Sequence, residues 1–307
     1  THTAGAGRIF FNVPFGQPAR TNTQHEDHGY PEAWFPFSTA ALADPLTGRK
    51  GSLFQGDDSD PKLIETNTST EYWQKGASLL TTDPLGMKDV ALPENSRLYM
   101  IAGTQHGGRF GATADPGPNL NPRNPHSPMP ALRALLVALD EWVVSGKPPP
   151  PSAVPTLQDG TLVEPDKTGF PAIPGAAVVR VANEVALPGD WVDPKPAERA
   201  YRTLVCRVDD DGNEVGGVRL PDIAVPLAAY TGWNEYKPPY PRGELADRDG
   251  SYLAFPAEKI AARYKNRADY VAKVKAAVDR LVKDRLLLRE DADRYLEKAR
   301  AETRVKE

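Results

Sequence analysis

The sequence predicts an α/β protein organised around parallel strands that are covered on both faces. Three observations carry this. Ser96-Arg97-Leu98-Tyr99-Met100-Ile101-Ala102-Gly103 is a nearly continuous apolar run, the pattern of a strand buried on both sides. Residues 127–146 read as a well-punctuated amphipathic helix. The coarse order is strand, polar loop, helix, strand, polar loop, helix, which is the alternation of a parallel sheet.

Taken in order, residues 8–60 are loop-like and dense in aromatics, Pro and Gly, among them Phe10, Phe11, Phe15, Trp34, Phe35 and Phe37. They fit a lid over a site, or equally a surface loop that buries its own rings. Pro61-Lys62-Leu63-Ile64-Glu65-Thr66-Asn67 reads as a short strand ending in a polar turn. Ser69 or Thr70 is placed to cap a helix from about Glu71 to Leu80. The apolar strand at 96–103 follows and ends in Gly103-Thr104-Gln105-His106-Gly107-Gly108. The next helix has Ser127 as its cap, Pro128 just inside and Gly146 at its stop, with an apolar stripe at Leu132, Leu135, Leu136, Leu139, Trp142 and Val143.

Lys147-Pro148-Pro149-Pro150-Pro151-Ser152 leaves that helix as an extended polyproline segment. A boundary is expected there. Residues 1–150 form one unit, including the excursion at 8–60. Residues 151–307 form a mixed β/α extension with short strand-like runs at 177–181 and 202–208. Two helices within 267–302 close it, the first with a stripe at Tyr270, Val271, Val274, Val278, Leu281 and Val282.

Bulk composition excludes several classes. The net charge is −4 in 307 residues with both signs interspersed, so nothing calls for nucleic acid or an anionic membrane. No apolar run approaches the roughly 18 residues of a membrane span. Hydrophobic residues make up 40 %, enough for a sizeable core. A lone cysteine, Cys206, precludes an internal disulfide and sits in an apolar run, as a buried inert thiol would. Proline is the outlier at 31 residues, which implies long ordered loops.

The chemistry concentrates just past two strand ends. Reactive groups of parallel α/β sheets gather on loops beyond the carboxyl ends of the strands, and Glu71 and His106 both sit there. A serine hydroxyl is a poor nucleophile at neutral pH. It needs an imidazole to take its proton and a carboxylate to orient that imidazole. His106 is the expected base. Glu71 is the expected acid, with Glu65 at the preceding strand's end as the alternative. Gly-x-Ser-x-Gly, the usual frame of the nucleophile, occurs nowhere in the chain. The nearest pattern, Gly76-Ala77-Ser78-Leu79-Leu80, lies in a predicted helix and lacks the second glycine.

Several stretches carry a resemblance. Glu65-Thr66-Asn67-Thr68-Ser69-Thr70-Glu71-Tyr72-Trp73 resembles the TN-S-x-EYW segment of a bacterial family of alpha/beta hydrolase domain proteins. Ile101-Ala102-Gly103-Thr104-Gln105-His106-Gly107, Asn121-Pro122-Arg123-Asn124-Pro125, the run Leu220 to Leu227 and Tyr230-Thr231-Gly232-Trp233-Asn234 are similar too. In that family a Gly-x-Ser-Gln-Ser-Gly segment carries the nucleophile upstream of a stretch like His2-Thr3-Ala4-Gly5-Ala6-Gly7-Arg8. The resemblance implies serine hydrolase chemistry on ester or related acyl bonds of a small molecule, with no cofactor. It further implies that this chain is the C-terminal half: the last parallel strands of an α/β-hydrolase sheet, their flanking helices, loop-rich excursions and a C-terminal α+β extension. Its partner is then the N-terminal half that holds the serine, as a separate chain or a cleaved segment. The chain's opening at Thr1, without a methionine or a signal-like run, reads the same way, as a processed or split product or a fragment.

Arg8, Tyr72 and Trp73 are expected at the substrate pocket, with pairing to a structural carboxylate as the alternative for Arg8 and a core position for the two aromatics. His25-Glu26-Asp27-His28 has a chelating spacing but no second ligand pair, and His2 and His126 add none. Asp209-Asp210-Asp211-Gly212-Asn213-Glu214 lacks an acid at the twelfth position of a calcium loop and reads as an Asp-Gly hairpin. Gly5-Ala6-Gly7 precedes no helix with a ribose-binding acid. Two rival functions follow from the missing nucleophile. One is an N-terminal nucleophile hydrolase using Thr1, which predicts an antiparallel two-layer β fold. The other is a hydrolase-like subunit retained for binding.

Overall fold

The described chain begins, after an isolated Ala6, in a small ladder where β1 (Leu42–Ala43) pairs antiparallel with β2 (Lys50–Gly51). The structure is a computed structural model and describes residues 6, 34–107, 116–187 and 199–307. Thr1, His2, Arg8, His25, His28 and the first part of the 8–60 excursion lie outside those residues.

The parallel pair expected from the sequence is present. β3 (Leu63–Thr68) and β4 (Ser96–Ile101) run side by side in register from Leu63–Ser96 to Thr68–Ile101. β4 is buried except at Arg97, as its unbroken apolar run requires. Its opposite edge is taken by irregular chain. Met100 N donates to Ala153 O (2.9 Å), Ala153 N to Leu98 O (3.0 Å), and Val218 N to Met100 O (2.7 Å).

α1 (Ser69–Gln74) follows β3 without a break. Its cap is Thr68, one to two residues earlier than expected, because Thr68 and Glu71 form a capping box. The helix predicted to reach Leu80 stops after Gln74. Gly76 turns the backbone left-handed (φ 57°), and Ala77–Leu80 is a separate 3-10 turn.

α2 (Met129–Ser145) starts one residue later than predicted, with Pro128 and not Ser127 at the cap position, although Ser127 Oγ still accepts from Met129 N (3.3 Å), and it stops as predicted at the left-handed Gly146. Its buried stripe differs from the prediction. Ala131, Ala134, Leu135, Ala138 and Trp142 face inward, whereas Leu136 is 67 % and Val143 60 % exposed. Counting only large apolar side chains missed the alanines, whose small size lets the helix sit close on its neighbours. Trp142 closes the lower end beneath Lys62 and Arg97, whose cations lie 5.7 and 5.5 Å from its ring centroid.

Beyond the prolines come β5 (Leu162–Val163), β6 (Val185–Ala186), β7 (Ala200–Tyr201) and β8 (Val205–Cys206), paired antiparallel as β5 with β8 and β6 with β7. The run at 177–181 forms no ladder. Its backbone is irregular, and Asn121 Nδ2 donates to Ala177 O (3.2 Å). α3 (Pro221–Ala224) precedes β9 (Ala228–Tyr230), which pairs antiparallel with β10 (Tyr252–Ala254). α4 (Ala257–Arg263), α5 (Arg267–Lys283) and α6 (Arg289–Arg300) close the chain. α5 buries Tyr270, Val274, Val278 and Leu281 as its periodicity predicts. One hydrophobic cluster draws Tyr99, Met100 and Leu135 together with Leu162, Val205, Trp233 and Val278, so the stretches on either side of residue 150 share a core. Cys206 is buried in it, and burial pushes its thiol pKa up. Among the described residues, no helix is long and apolar enough to cross a membrane.

The corrected stripe of α2 is testable. Leu135→Ala is expected to cost about 2–5 kcal/mol in urea unfolding and Leu136→Ala less than about 0.5 kcal/mol. Equal losses at the two positions would contradict this packing.

Candidate active site

The register of β3 and β4 decides which loops meet. Thr68 and Ile101 stand opposite each other at the carboxyl end of the pair. Glu71 in the first turn of α1 and His106 in the loop after β4 therefore leave the sheet on the same side. The histidine loop turns at Gly103 in the left-handed region (φ 63°). A Cβ there would stand 2.3 Å from Ile223 Cδ1 and 3.1 Å from Tyr230 O, so glycine is required for both its torsion and its room. The loop is then tied down residue by residue. Asn124 Nδ2 donates to Gly103 O (2.7 Å), Thr104 Oγ1 to Ile101 O (2.5 Å), and Gly250 N to Gln105 Oε1 (2.9 Å).

His106 Nδ1 hydrogen-bonds Glu71 Oε1. The other carboxylate oxygen, Oε2, accepts from Thr68 N and Thr68 Oγ1, both at 2.5 Å. Glu71 is 1 % exposed and the imidazole 31 %. An ionised carboxylate only accepts, so Nδ1 carries the proton and Nε2 holds the lone pair of the neutral ring. That is the tautomer a general base needs. The bond to Glu71 raises the His106 pKa above its ordinary value. Partial burial and the Arg248 charge oppose the rise, and the charges of Glu71 and Asp247 support it.

A second carboxylate lies beneath the pair. Glu214 is 3 % exposed. Its Oε1 accepts from Ser69 Oγ (2.6 Å) and its Oε2 from Gly103 N (2.6 Å). Burial raises its pKa to about 7, against the pull of those two hydrogen bonds and the Arg219 charge. Neither Glu214 nor Asn124 was singled out from sequence. Asn124 lies in the Asn-Pro-Arg-Asn-Pro motif, which was the available signal. Glu214 gave none beyond its place after an Asp-Gly turn.

The other expected site residues fall as follows. Glu65, the alternative acid, lies on β3 opposite Leu98 and is 5 % exposed, so it is not a solvated strand-end charge. Tyr72 and Trp73 belong to the core: all six residues of the short α1 are buried, and Trp73 packs edge-on against Trp233 at 6.1 Å between centroids. Trp73 does border a small internal cleft with Ser69, Phe170, Glu214 and Trp233. Arg8 lies outside the described residues. His126 is buried, with Nδ1 3.3 Å from Asp222 Oδ2. The Asp209–Glu214 stretch is a hairpin closed by Asp209 N to Asn213 O (2.8 Å), and Asp211 is engaged by Lys259 (2.9 Å) and Arg263. Ser78 is fully buried and its Oγ accepts from Leu204 N (2.9 Å).

Compared with known proteins, a family model described as alpha/beta hydrolase domain matches residues 11–297. The match runs through residue 150 and into α6, so it includes nearly all of the stretch read from sequence as an extension. No curated protein and no solved structure matches the chain.

The raised His106 pKa sets a pH dependence. Its stabilisation is complete below the unfolded value of about 6.5 and is lost as pH rises through the higher folded value. Glu71→Gln removes the charge that raises it. The stability difference between wild type and this variant, from urea unfolding over roughly pH 5.5 to 8.5, should shrink to a plateau as pH rises. A difference that grows with pH would refute the assignment.

Proposed function

The chain belongs to the alpha/beta hydrolase domain family, and from that premise we propose that it supplies the acid and the base of a serine hydrolase acting on carboxylic esters or related acyl bonds. The observation that carries this reading is the hydrogen bond between Glu71 Oε1 and His106 Nδ1, made just beyond the carboxyl ends of two adjacent parallel strands, where α/β enzymes gather their reactive groups.

In this mechanism Nε2 of His106 takes the proton of a serine hydroxyl as that oxygen attacks the acyl carbon. The imidazolium then protonates the departing alkoxide, and the acyl-serine remains. Water deprotonated by the same nitrogen attacks it and releases the acid and the serine. Glu71 holds the ring in the productive tautomer and stabilises the imidazolium while staying ionised itself. The serine belongs to a segment outside these 307 residues. No Gly-x-Ser-x-Gly occurs in the sequence, and the nearest serine pattern places Ser78 in a buried 3-10 turn.

Residues 153–260 supply part of the pocket wall in this reading. A cleft of about 840 Å³ lies between the irregular stretch 176–181 and residues 235–243, with Arg180, Tyr236, Tyr240 and Arg242 on its lining; neither Glu71 nor His106 borders it. Tyr236 Oη accepts from Asp247 N (3.0 Å), the residue whose charge bears on His106.

The test uses the assembly that includes the serine-bearing segment. His106→Ala is expected to lower kcat on an activated ester by on the order of 10⁴–10⁶-fold with little change in KM, and to abolish labelling by a fluorophosphonate. An intact wild-type assembly that hydrolyses no ester and takes no label would instead make this chain a binding subunit.

A further inference from the structure

We propose that Glu214 is a positioning residue for the Glu71–His106 pair, a buried strut that ties the turn bearing the acid to the turn bearing the histidine. The proposal rests on the reading of that pair as the proton relay.

Each end of the strut is held. Oε1 takes the hydroxyl of Ser69, two residues before Glu71 in the first turn of α1, and Oε2 takes the backbone N–H of Gly103, three residues before His106. Glu214 is itself anchored by its antiparallel bridge to Val208. Its neighbour Asn213 donates to Ala228 O (3.0 Å) and accepts from Tyr230 N (3.0 Å), which fastens this hairpin to β9. Ser69 has no slack, because Gly232 packs so close that a Cβ there would lie 2.3 Å from Ser69 Oγ. Thr70 Oγ1 adds a bond to Gly232 O (2.8 Å).

The Glu71–His106 bond itself also joins the two loops, whereas Asn124 ties the histidine loop to Thr231 and not to α1. A carboxyl group suits the junction because one oxygen accepts from the Gly103 N–H and the other pairs with the Ser69 hydroxyl, which donates to the ionised form and accepts from the protonated one. Displacement of reacting groups by about 1 Å costs about 10²-fold in rate, so a rigid tie at this point has catalytic value beyond stability. The groups facing Glu214 are Tyr72, Cys206 and Arg219. Those facing His106 are Glu71, Arg248 and Asp247.

The experiment follows the His106 imidazole by NMR across its titration in the 307-residue chain, a readout independent of hydrolysis. Glu214→Gln keeps both contacts, since its amide oxygen accepts from Gly103 and its amide N–H donates to Ser69 Oγ. It should titrate with wild type. Glu214→Ala removes both contacts, and His106 should lose its upward displacement and move toward the ordinary 6.5. A folded Glu214→Ala variant with an unmoved His106 titration would overturn the proposal. So would equal displacement in the Gln and Ala variants, since the charge and not the tie would then be responsible. If Glu214→Ala does not fold, Ser69→Ala decides, because it cuts one end of the strut. A partial downward displacement supports the strut and none overturns it. Loss of fluorophosphonate labelling in the assembly bears on the relay reading alone and leaves this titration result standing.

Discussion

The carboxylate of Glu71 serves two partners at once, and the arrangement around it depends on that division. Oε2 closes the capping box with Thr68, and Oε1 holds the imidazole of His106. The first contact is local and fixes the rotamer of the glutamate as soon as α1 forms. The second spans two loops and exists only when the parallel strands are in register. A side chain locked by its own helix start is therefore presented, already oriented, to a residue far along the chain. Burial sharpens this. With 1 % exposure, Glu71 depends on its protein partners for hydrogen bonds, and leaving one unmade would cost about 1–3 kcal/mol.

The loops around the pair show the same economy of conformational freedom. Gly103 bends the backbone where a side chain would collide with Ile223, and Asn124, Gln105 and Glu214 each cross-link the turn to chain that comes later in sequence. The side chains of Asn124 and Glu214 and the backbone of Gly250 thus hold Gly103 and Gln105. The hydrophobic core is likewise continuous across residue 150, and the family match runs to residue 297. The later stretch packs directly against the site, whatever else it does.

The proline-rich exit from α2 serves packing as well as spacing. Prolines lack the N–H that a ladder requires. The segment meets β4 through what it retains, a Pro150 carbonyl that accepts from Tyr99 Oη (2.5 Å), followed at once by Ser152 and Ala153 with their own bonds to Leu98 and Met100. A stretch that looks like a linker in composition is thereby bound along the strand that leads to His106. Linker composition and docked position are compatible because an extended chain matches the direction of a strand edge.

The sequence by itself determined the α/β class, the two strands, the approximate span of α2, the buried stripe of α5, and His106 with Glu71 or Glu65 as its candidate acid. Each of these rests on a short-range signal: an apolar run, a cap and a stop, a period of 3.6, or a polar turn just past a strand. Tertiary structure decided the rest. It put the Glu71 carboxylate on the imidazole, because strand register sets which loops leave the sheet together. It rotated the buried face of α2 onto alanines, because close approach is rewarded only by the neighbour that approaches. It drew Tyr72 and Trp73 into the core, and it brought Glu214 beneath the site across more than a hundred residues, a contact with no local signature because hydrogen bonds between distant segments depend on the final packing of the chain and leave no periodicity behind.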